Sequence, residues 1–319
     1  MNFGLFFLSS SYSFKIAGCL LEQSSVGINL YYVVIAVFKI FGLLPLLWIQ
    51  NISRCLGAVL LKINKRPINR IKQNLDHIFP ALSSEEKSKI LQQRLMCMSQ
   101  TIFEMSYVWT KPEQELQAKI TAEHNESFRQ AIDANESVII LGLHIGNFEV
   151  LSVYLSKLRQ LSTLYRPFKD EKFDLYIRQA RERTGAKFYP NNTHGIRTAY
   201  KDLAHKGMFL VAPDHVPGKG LAGIFAPLFN QPAYTTTLPQ RLALKTKAKV
   251  FMAAAYQNKG GFHIIIEPVA EEFYQPDEYI SACAMNTQIE QFVLRDLAQS
   301  QLEYKRYRTQ PQGQSSPYK

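Results

Sequence analysis

Val138-Ile139-Ile140-Leu141-Gly142-Leu143-His144-Ile145-Gly146-Asn147-Phe148-Glu149 joins an apolar run to a histidine, a glycine and a carboxylate. Val138 to Leu143 is uncharged, rich in branched side chains and too short for an ordinary isolated helix, so it predicts a buried strand. Gly146 and Asn147 are residues at which a chain leaves a strand and starts a helix. The corner therefore belongs at the carboxyl end of a strand, where open α/β sheets place their sites. Five residues correspond to about 140° around an ideal helix, so His144 and Glu149 would not share a helical face. They can meet only if His144 precedes the helix and Glu149 occupies its first turn, where a carboxylate also suits the helix dipole.

Outward from this corner the sequence alternates between the two periodicities. Leu161 to Tyr165, Met208 to Ala212, Val250 to Tyr256 and Phe262 to Glu267 read as strands, and Lys172 to Arg183 and Arg241 to Lys247 read as helices. This pattern predicts an α/β domain with a central mixed sheet flanked by helices. Neither a glycine-rich dinucleotide fingerprint nor a P-loop follows any of the strands. Upstream, Lys111 to Asn135 reads as loop and helix. Before it, Ser83 followed by Glu85 and Glu86 reads as the capped start of a helix that runs to about Trp109, with Leu91, Leu95, Met98, Ile102 and Met105 on its core face.

The amino-terminal part is different in character. Residues 1–27 read as an extension without the positive start of a signal peptide, although Ile16-Ala17-Gly18-Cys19 has the form of a lipoprotein cleavage box. Ile28 to Ile49 is almost wholly apolar and would reach roughly 30 Å as a helix, long enough for a hydrophobic membrane anchor. Lys39 near its middle and Pro45 near its end oppose a simple span and leave an interfacial helix as the alternative. Between Gln50 and Asn74 lie Arg54, Lys62, Lys65, Arg66, Arg70 and Lys72 with no acidic residue. A basic segment after an apolar helix favours the cytoplasmic side and anionic headgroups. The expected organisation is thus an extension (1–27), an anchor (28–50), a basic juxtamembrane segment (51–74), a catalytic domain (75–311) and a short tail (312–319).

The chain has 319 residues and a formal net charge of +11, which points to an anionic partner. Nucleic acid is not expected, because basic and aromatic residues do not interleave in a recognisable binding module. Cys19, Cys55, Cys97 and Cys283 are scattered and match neither a metal spacing nor a secreted disulfide framework.

Three further polar groups fall at strand or helix ends: Tyr165-Arg166-Pro167, the basic turn from Arg178 to Arg183, and Ala212-Pro213-Asp214-His215. A histidine held by a carboxylate makes a general base near neutral pH, and a nearby arginine can stabilise negative charge developing on oxygen. No serine or cysteine nucleophile motif accompanies them, which favours direct attack by a substrate hydroxyl. His144, Glu149, Asp214 and His215 include metal-ligand residue types, but their spacings match no zinc motif, and no metal or other cofactor is expected.

His144-Ile-Gly-Asn-Phe-Glu149 has a His-x-x-x-x-Glu acyltransferase form, followed in order by Tyr165-Arg166-Pro167, Ala212-Pro213-Asp214-His215, Phe225-Ala226-Pro227-Leu228-Phe229 and Thr235-Thr236-Thr237. From about Leu43 to Pro311 the chain resembles the bacterial late acyltransferases of lipid A biosynthesis, the lauroyl/myristoyl transferase family. The resemblance implies an inner-membrane enzyme with its catalytic domain on the cytoplasmic face. It would move a fatty acyl group from acyl carrier protein to a hydroxyl of a 3-hydroxyacyl chain on a Kdo-bearing glycolipid acceptor. It also implies catalytic roles for His144, Glu149, Arg181 and Asp214, with Glu149 orienting His144, Arg181 steadying the oxyanion and Asp214 positioning His144 or Arg181. Arg166 and His215 are the candidate substrate-binding residues. The segment Leu302-Glu303-Tyr304-Lys305-Arg306-Tyr307-Arg308-Thr309-Gln310-Pro311 departs from the family by lacking its tryptophan. The competing readings are an acyltransferase acting on another membrane lipid, a glycerophospholipid or an aminolipid, and a non-enzymatic basic membrane scaffold.

Overall fold

The computed structural model describes residues 30–63, 65–218 and 220–318, so residues 1–29, including the extension and its lipoprotein-like box, lie outside the described residues. The apolar run that begins at Val138 is β2 (Val138–Gly146), the middle strand of a seven-stranded mixed sheet. The others are β1 (Ile120–His124), β3 (Leu161–Tyr165), β4 (Lys187–Pro190), β5 (Met208–Val211), β8 (Lys249–Asn258) and β9 (Gly261–Pro268). Their order is β1-β9-β8-β2-β5-β3-β4, parallel throughout except between β8 and β9. A separate antiparallel hairpin is formed by β6 (Gly223–Leu228) and β7 (Gln231–Thr236), and so gathers two of the family-like motifs.

Because strand side chains alternate, β2 feeds two cores. Val138 and Ile140 pack on one side of the sheet with α4 (Ser84–Thr110), α5 (Glu113–Gln117), α6 (Glu126–Asp133), α7 (Glu149–Leu158) and α8 (Glu171–Glu182). Ile139, Leu141, Leu143 and Ile145 pack on the other with α9 (Thr193–Ala204), α10 (Leu238–Thr246) and α11 (Glu278–Arg295). Helix α4 begins with a full capping box: the Ser83 hydroxyl accepts from Glu86 N–H, and the Glu86 carboxylate accepts from Ser83 N–H. Its stripe is core as expected, but the same helix also buries Ser99, Gln100, Thr101, Glu104 and Ser106.

The expected single anchor helix over Ile28 to Ile49 is not what the described part of that segment forms. It is divided into α1 (Leu30–Gly42) and α2 (Leu46–Ile63), with α3 (Lys65–Ile78) after them. Pro45 has no N–H with which to continue the ladder of α1, and α2 starts immediately beyond it. No helix among the described residues is long and apolar enough to cross a membrane. Phe38, Leu46 and Ile49 are instead buried in the first core, where the Phe38 ring stacks on Trp109 at 5.4 Å. Ile40, Leu43, Trp48 and Val59 stay exposed on the outer side.

The chain ends in a strap that runs back over the carboxyl ends of the strands. Arg94 on α4 forms a buried bidentate ion pair with Glu303, both bonds 2.8 Å. Asn74 donates to the carbonyls of Leu302 and Tyr304, and its own side-chain oxygen accepts from Tyr318 at 2.6 Å. Arg306 donates to the Tyr234 carbonyl and the Thr235 hydroxyl in the hairpin.

Candidate active site

His144 sits in a bulge. Gly142 pairs with Ala253 and Gly146 with Ala255, so Leu143, His144 and Ile145 together oppose the single residue Ala254. Such an insertion breaks the ladder and re-aims a side chain, and it frees a backbone N–H. Gly146 closes the bulge at a φ of +58°, where a Cβ would run into the Ala255 carbonyl oxygen, so only glycine fits. Thr101 donates to the Gly146 carbonyl, and Asn147 N–H to that of Ala255 at 2.9 Å, which fixes the turn into α7.

Asp214, just beyond β5, takes both donors of His144. Its Oδ2 accepts the freed backbone N–H at 2.8 Å, and its Oδ1 lies 2.9 Å from Nδ1 of the ring. The ring therefore carries its Nδ1 proton toward Asp214 and leaves Nε2 with no hydrogen-bond partner among the described residues. Burial alone would raise the Asp214 carboxyl, but the His144 ring and N–H, with His215 nearby, hold it well below the usual carboxylate range.

Glu149 is the first residue of α7, as the sequence reading requires, yet it does not orient the histidine. Its carboxylate is held by Arg181: Nε donates to Oε2 at 2.9 Å and Nη2 to Oε1. The indole N–H of Trp109 donates to Oε2 at 3.1 Å. All three residues are buried, with Arg181 7% and Glu149 4% exposed. Arg181 thus ties α8 to the start of α7, and Nη1 is the donor not committed to Glu149. The expectation that Glu149 orients His144 is corrected in favour of Asp214, because the bulge turns the ring toward β5 and α8 supplies a permanent cation for Glu149.

The remaining candidates are divided. Arg166 lies exposed at the end of β3, within electrostatic reach of Arg308. His215 is enclosed: its ring stacks on His144 at 3.9 Å and 5°, its other face on Tyr304 at 3.9 Å and 19°, and Nε2 lies 2.6 Å from Gln301 Oε1. Burial, with the neighbouring His144 charge adding to it, pushes the His215 pKa down to about 3. A cavity of about 80 Å³ adjoins this group, walled by His144, Asp214, His215, Tyr304 and Arg306 and by the apolar side chains of Leu228, Ile289 and Val293.

Ligand atoms of His144, Asp214 and His215 lie within 4.8 Å of one another. Imidazole binds a metal in its own plane, and two rings stacked in nearly parallel planes cannot both aim at one ion. Nδ1 of His144 and Nε2 of His215 are moreover already bonded to protein. This trio does not make a metal centre as it stands.

The profile of the family described as "Bacterial lipid A biosynthesis acyltransferase" matches residues 21–309. The chain belongs to that family. Among its curated relatives, the lipid A biosynthesis palmitoleoyltransferase of Escherichia coli (strain K12) is 26% identical over 291 residues, which is 87% of this chain and 93% of that protein. The lipid A biosynthesis acyltransferase of Haemophilus influenzae is 24% identical over 290 residues (88% and 91%), and the E. coli lauroyltransferase is 23% identical over 278 (86% and 90%).

For a lipid A biosynthesis acyltransferase the motif order was informative, but several residues at the site carried no signal of their own. Trp109 ends a helix whose pattern marks it as core, and nothing in the sequence links it to Glu149. Tyr304 lies in the segment that departs from the family and Gln301 just before it, and nothing in their local sequence signals that they hold the His215 ring. The Tyr304 hydroxyl also accepts from Val216 N–H at 3.1 Å, locking the strap beside His215.

Proposed function

We propose that this acyltransferase moves a fatty acyl group from an acyl carrier protein thioester to a hydroxyl of a 3-hydroxyacyl chain on a Kdo-bearing lipid A precursor, at the cytoplasmic face of the inner membrane. The observation that carries the chemistry is the His144–Asp214 pair, with Nε2 unpartnered among the described residues. His144 Nε2 takes the acceptor hydroxyl proton as that oxygen bonds to the thioester carbonyl carbon. Asp214 holds Nδ1–H and stabilises the imidazolium so formed. The tetrahedral intermediate collapses with cleavage of the C–S bond, and the imidazolium returns its proton to the departing thiolate. Arg181, through Nη1, is the candidate donor to the oxyanion, and Glu149 fixes its orientation. Arg166 is the candidate contact for an anionic group of substrate.

The amino-terminal helices support a membrane setting of a different kind from a span. Trp48, Ile52, Leu56 and Val59 recur at helical spacing on the exposed side of α2, while Ile49, Ser53 and Gly57 face inward. An amphipathic hairpin of this form lies in the plane of the bilayer interface, and the exposed Lys65, Arg66 and Lys72 that follow suit anionic headgroups.

Lipid mass spectra of a deletion strain test the reading. Loss of one secondary acyl chain from lipid A is the expected result. Unchanged lipid A with an altered phospholipid or aminolipid would move the acceptor to another lipid class. Transfer by the purified chain from acyl carrier protein, but not from free thioester, checks the donor.

A further inference from the structure

We propose that His215 is a positioning residue rather than a substrate-binding one: a neutral imidazole plate, clamped between Tyr304 and His144, that fixes the plane of the His144 ring so that Nε2 faces the acceptor hydroxyl. The proposal rests on the reading of His144 as the base. The covalent tether at Cβ and the Asp214 bond at Nδ1 both hold the same edge of the ring, which leaves the opposite edge, where Nε2 sits, freer to tilt. The second constraint must come from the ring faces. One face meets His215 in a nearly parallel stack, and Phe148 approaches His144 at 4.7 Å and 59°. His215 can serve as a fixed wall because it is itself held on three sides, by the Tyr304 ring, by Gln301 Oε1 at Nε2 and by its backbone neighbour Asp214.

The hydrogen bond to Gln301 also sets the tautomer. A carboxamide oxygen accepts only, so His215 carries its proton on Nε2 and its Nδ1 is bare. The groups facing the pair are Asp214, Arg306 and Tyr304, with the Arg308 guanidinium 5.6 Å from the Tyr304 ring centroid. Burial disfavours a second cation in this setting and His144 and Arg306 repel it, which together outweigh the attraction of Asp214. The proton taken from substrate therefore stays on one imidazole of the stacked pair, which is what a general base next to a second histidine requires.

The strap makes this arrangement an assembled one. Gln301 and Tyr304 come from a segment bound to α4 through Arg94–Glu303 and to α3 through Asn74, far in sequence from β2 and β5. The carboxyl-terminal segment thus contributes to the catalytic geometry through His215.

The experiment is steady-state acyl transfer by the full chain with His215→Ala, His215→Phe, Tyr304→Ala and Gln301→Ala, each checked for cooperative thermal unfolding. The expected result is a kcat about 10- to 100-fold lower in His215→Ala with acceptor KM within about twofold, since misplacement of a reacting group costs rate of this order. His215→Phe, which restores a flat plate without a nitrogen, should recover most of the lost kcat. Tyr304→Ala should lower kcat in the same way, by undoing the clamp from its far side, and Gln301→Ala should do so more weakly. An acceptor KM raised about tenfold in His215→Ala, with kcat kept and no recovery in His215→Phe, would overturn the proposal and make His215 a substrate contact. If His215→Ala does not fold, Tyr304→Ala decides on the same two parameters. Near-normal turnover in His144→Ala would instead remove the underlying reading of the base, a result separable from any His215 outcome.

Discussion

Asp214, half-buried beyond β5, and Glu149, buried at the start of α7, are the two carboxylates of the candidate site, and the difference between them lies in their partners. Asp214 faces an imidazole, whose charge comes and goes with a proton. Glu149 faces a guanidinium, which is charged at every accessible pH, and an indole N–H. The first pairing can change during a reaction, whereas the second holds two helices in one relation throughout. A carboxylate in a sequence motif is thus not by itself a catalytic group, and the group facing it indicates which kind of work it can do.

The sharpest way to break this comparison is to measure turnover. His144→Ala should lower kcat by about 10²–10⁴-fold, the usual contribution of a general base, while leaving folding intact. Asp214→Asn should lose a comparable factor. The amide can still bond the ring but cannot stabilise an imidazolium, and the two changes combined should cost little more than either alone, as expected of groups acting as a unit. Full additivity in the double variant would show that Asp214 acts elsewhere.

Stability should respond in the opposite way. Arg181→Met leaves Glu149 buried without its cation and should destabilise the protein by about 3–5 kcal/mol in urea unfolding, a loss the double variant Arg181→Met/Glu149→Leu should largely recover. Recovered stability without recovered turnover would give the pair a direct part in the reaction, through Nη1 of Arg181. Recovered turnover would make it a fastening alone.

The architecture was legible because its signals are local. Branched residues from Val138 to Leu143, and the runs that became β3, β5, β8 and β9, each carry their own period. Four features were not readable for the converse reason. The β1 strand, Ile-Thr-Ala-Glu-His, is an edge element half exposed along its length. The anchor segment looked like one apolar helix because composition does not reveal which face will meet α4. The bulge at His144 depends on how β8 pairs, which is a property of two strands. The partners of Glu149 and Asp214 could not be assigned either, since a spacing of five residues permits a contact without requiring it, and His144 and Arg181 were equally available to both.

A smaller effect probes the third bond of the Glu149 group. Trp109→Phe keeps an aromatic body for the stack on Phe38 but removes the N–H donor to Glu149 Oε2. A hydrogen bond to a charged group contributes about 1.5–3 kcal/mol. Urea midpoints should fall accordingly with the slope unchanged, and kcat should move far less than in Asp214→Asn. A kcat loss as large as that of Asp214→Asn would give the Trp109 bond to Glu149 the same weight in the reaction as the His144–Asp214 pair and erase the contrast.

The pH dependence of stability distinguishes the two carboxylate settings most finely. The unfolded His215 takes up a proton as pH falls below about 6.5, whereas the folded one stays neutral until about 3. Unfolding therefore binds a proton in that window, and stability falls with falling pH at up to about 1.4 kcal/mol per unit. Asp214 has the same sign in a lower window: its folded pKa lies below the ordinary value, so its contribution is fully present above about 3.9 and is lost as pH falls further. His215→Phe should flatten the slope between pH 6 and 4.5 relative to the parent chain, leaving the fall below pH 4 in place. Arg181→Met should leave the His215 slope unchanged, because its guanidinium belongs to the other group. If His215→Phe kept the full slope between pH 6 and 4.5, the stacked histidine would be charged in the folded protein, and the contrast between a proton-carrying pair and a fixed pair would have to be drawn within the imidazoles themselves.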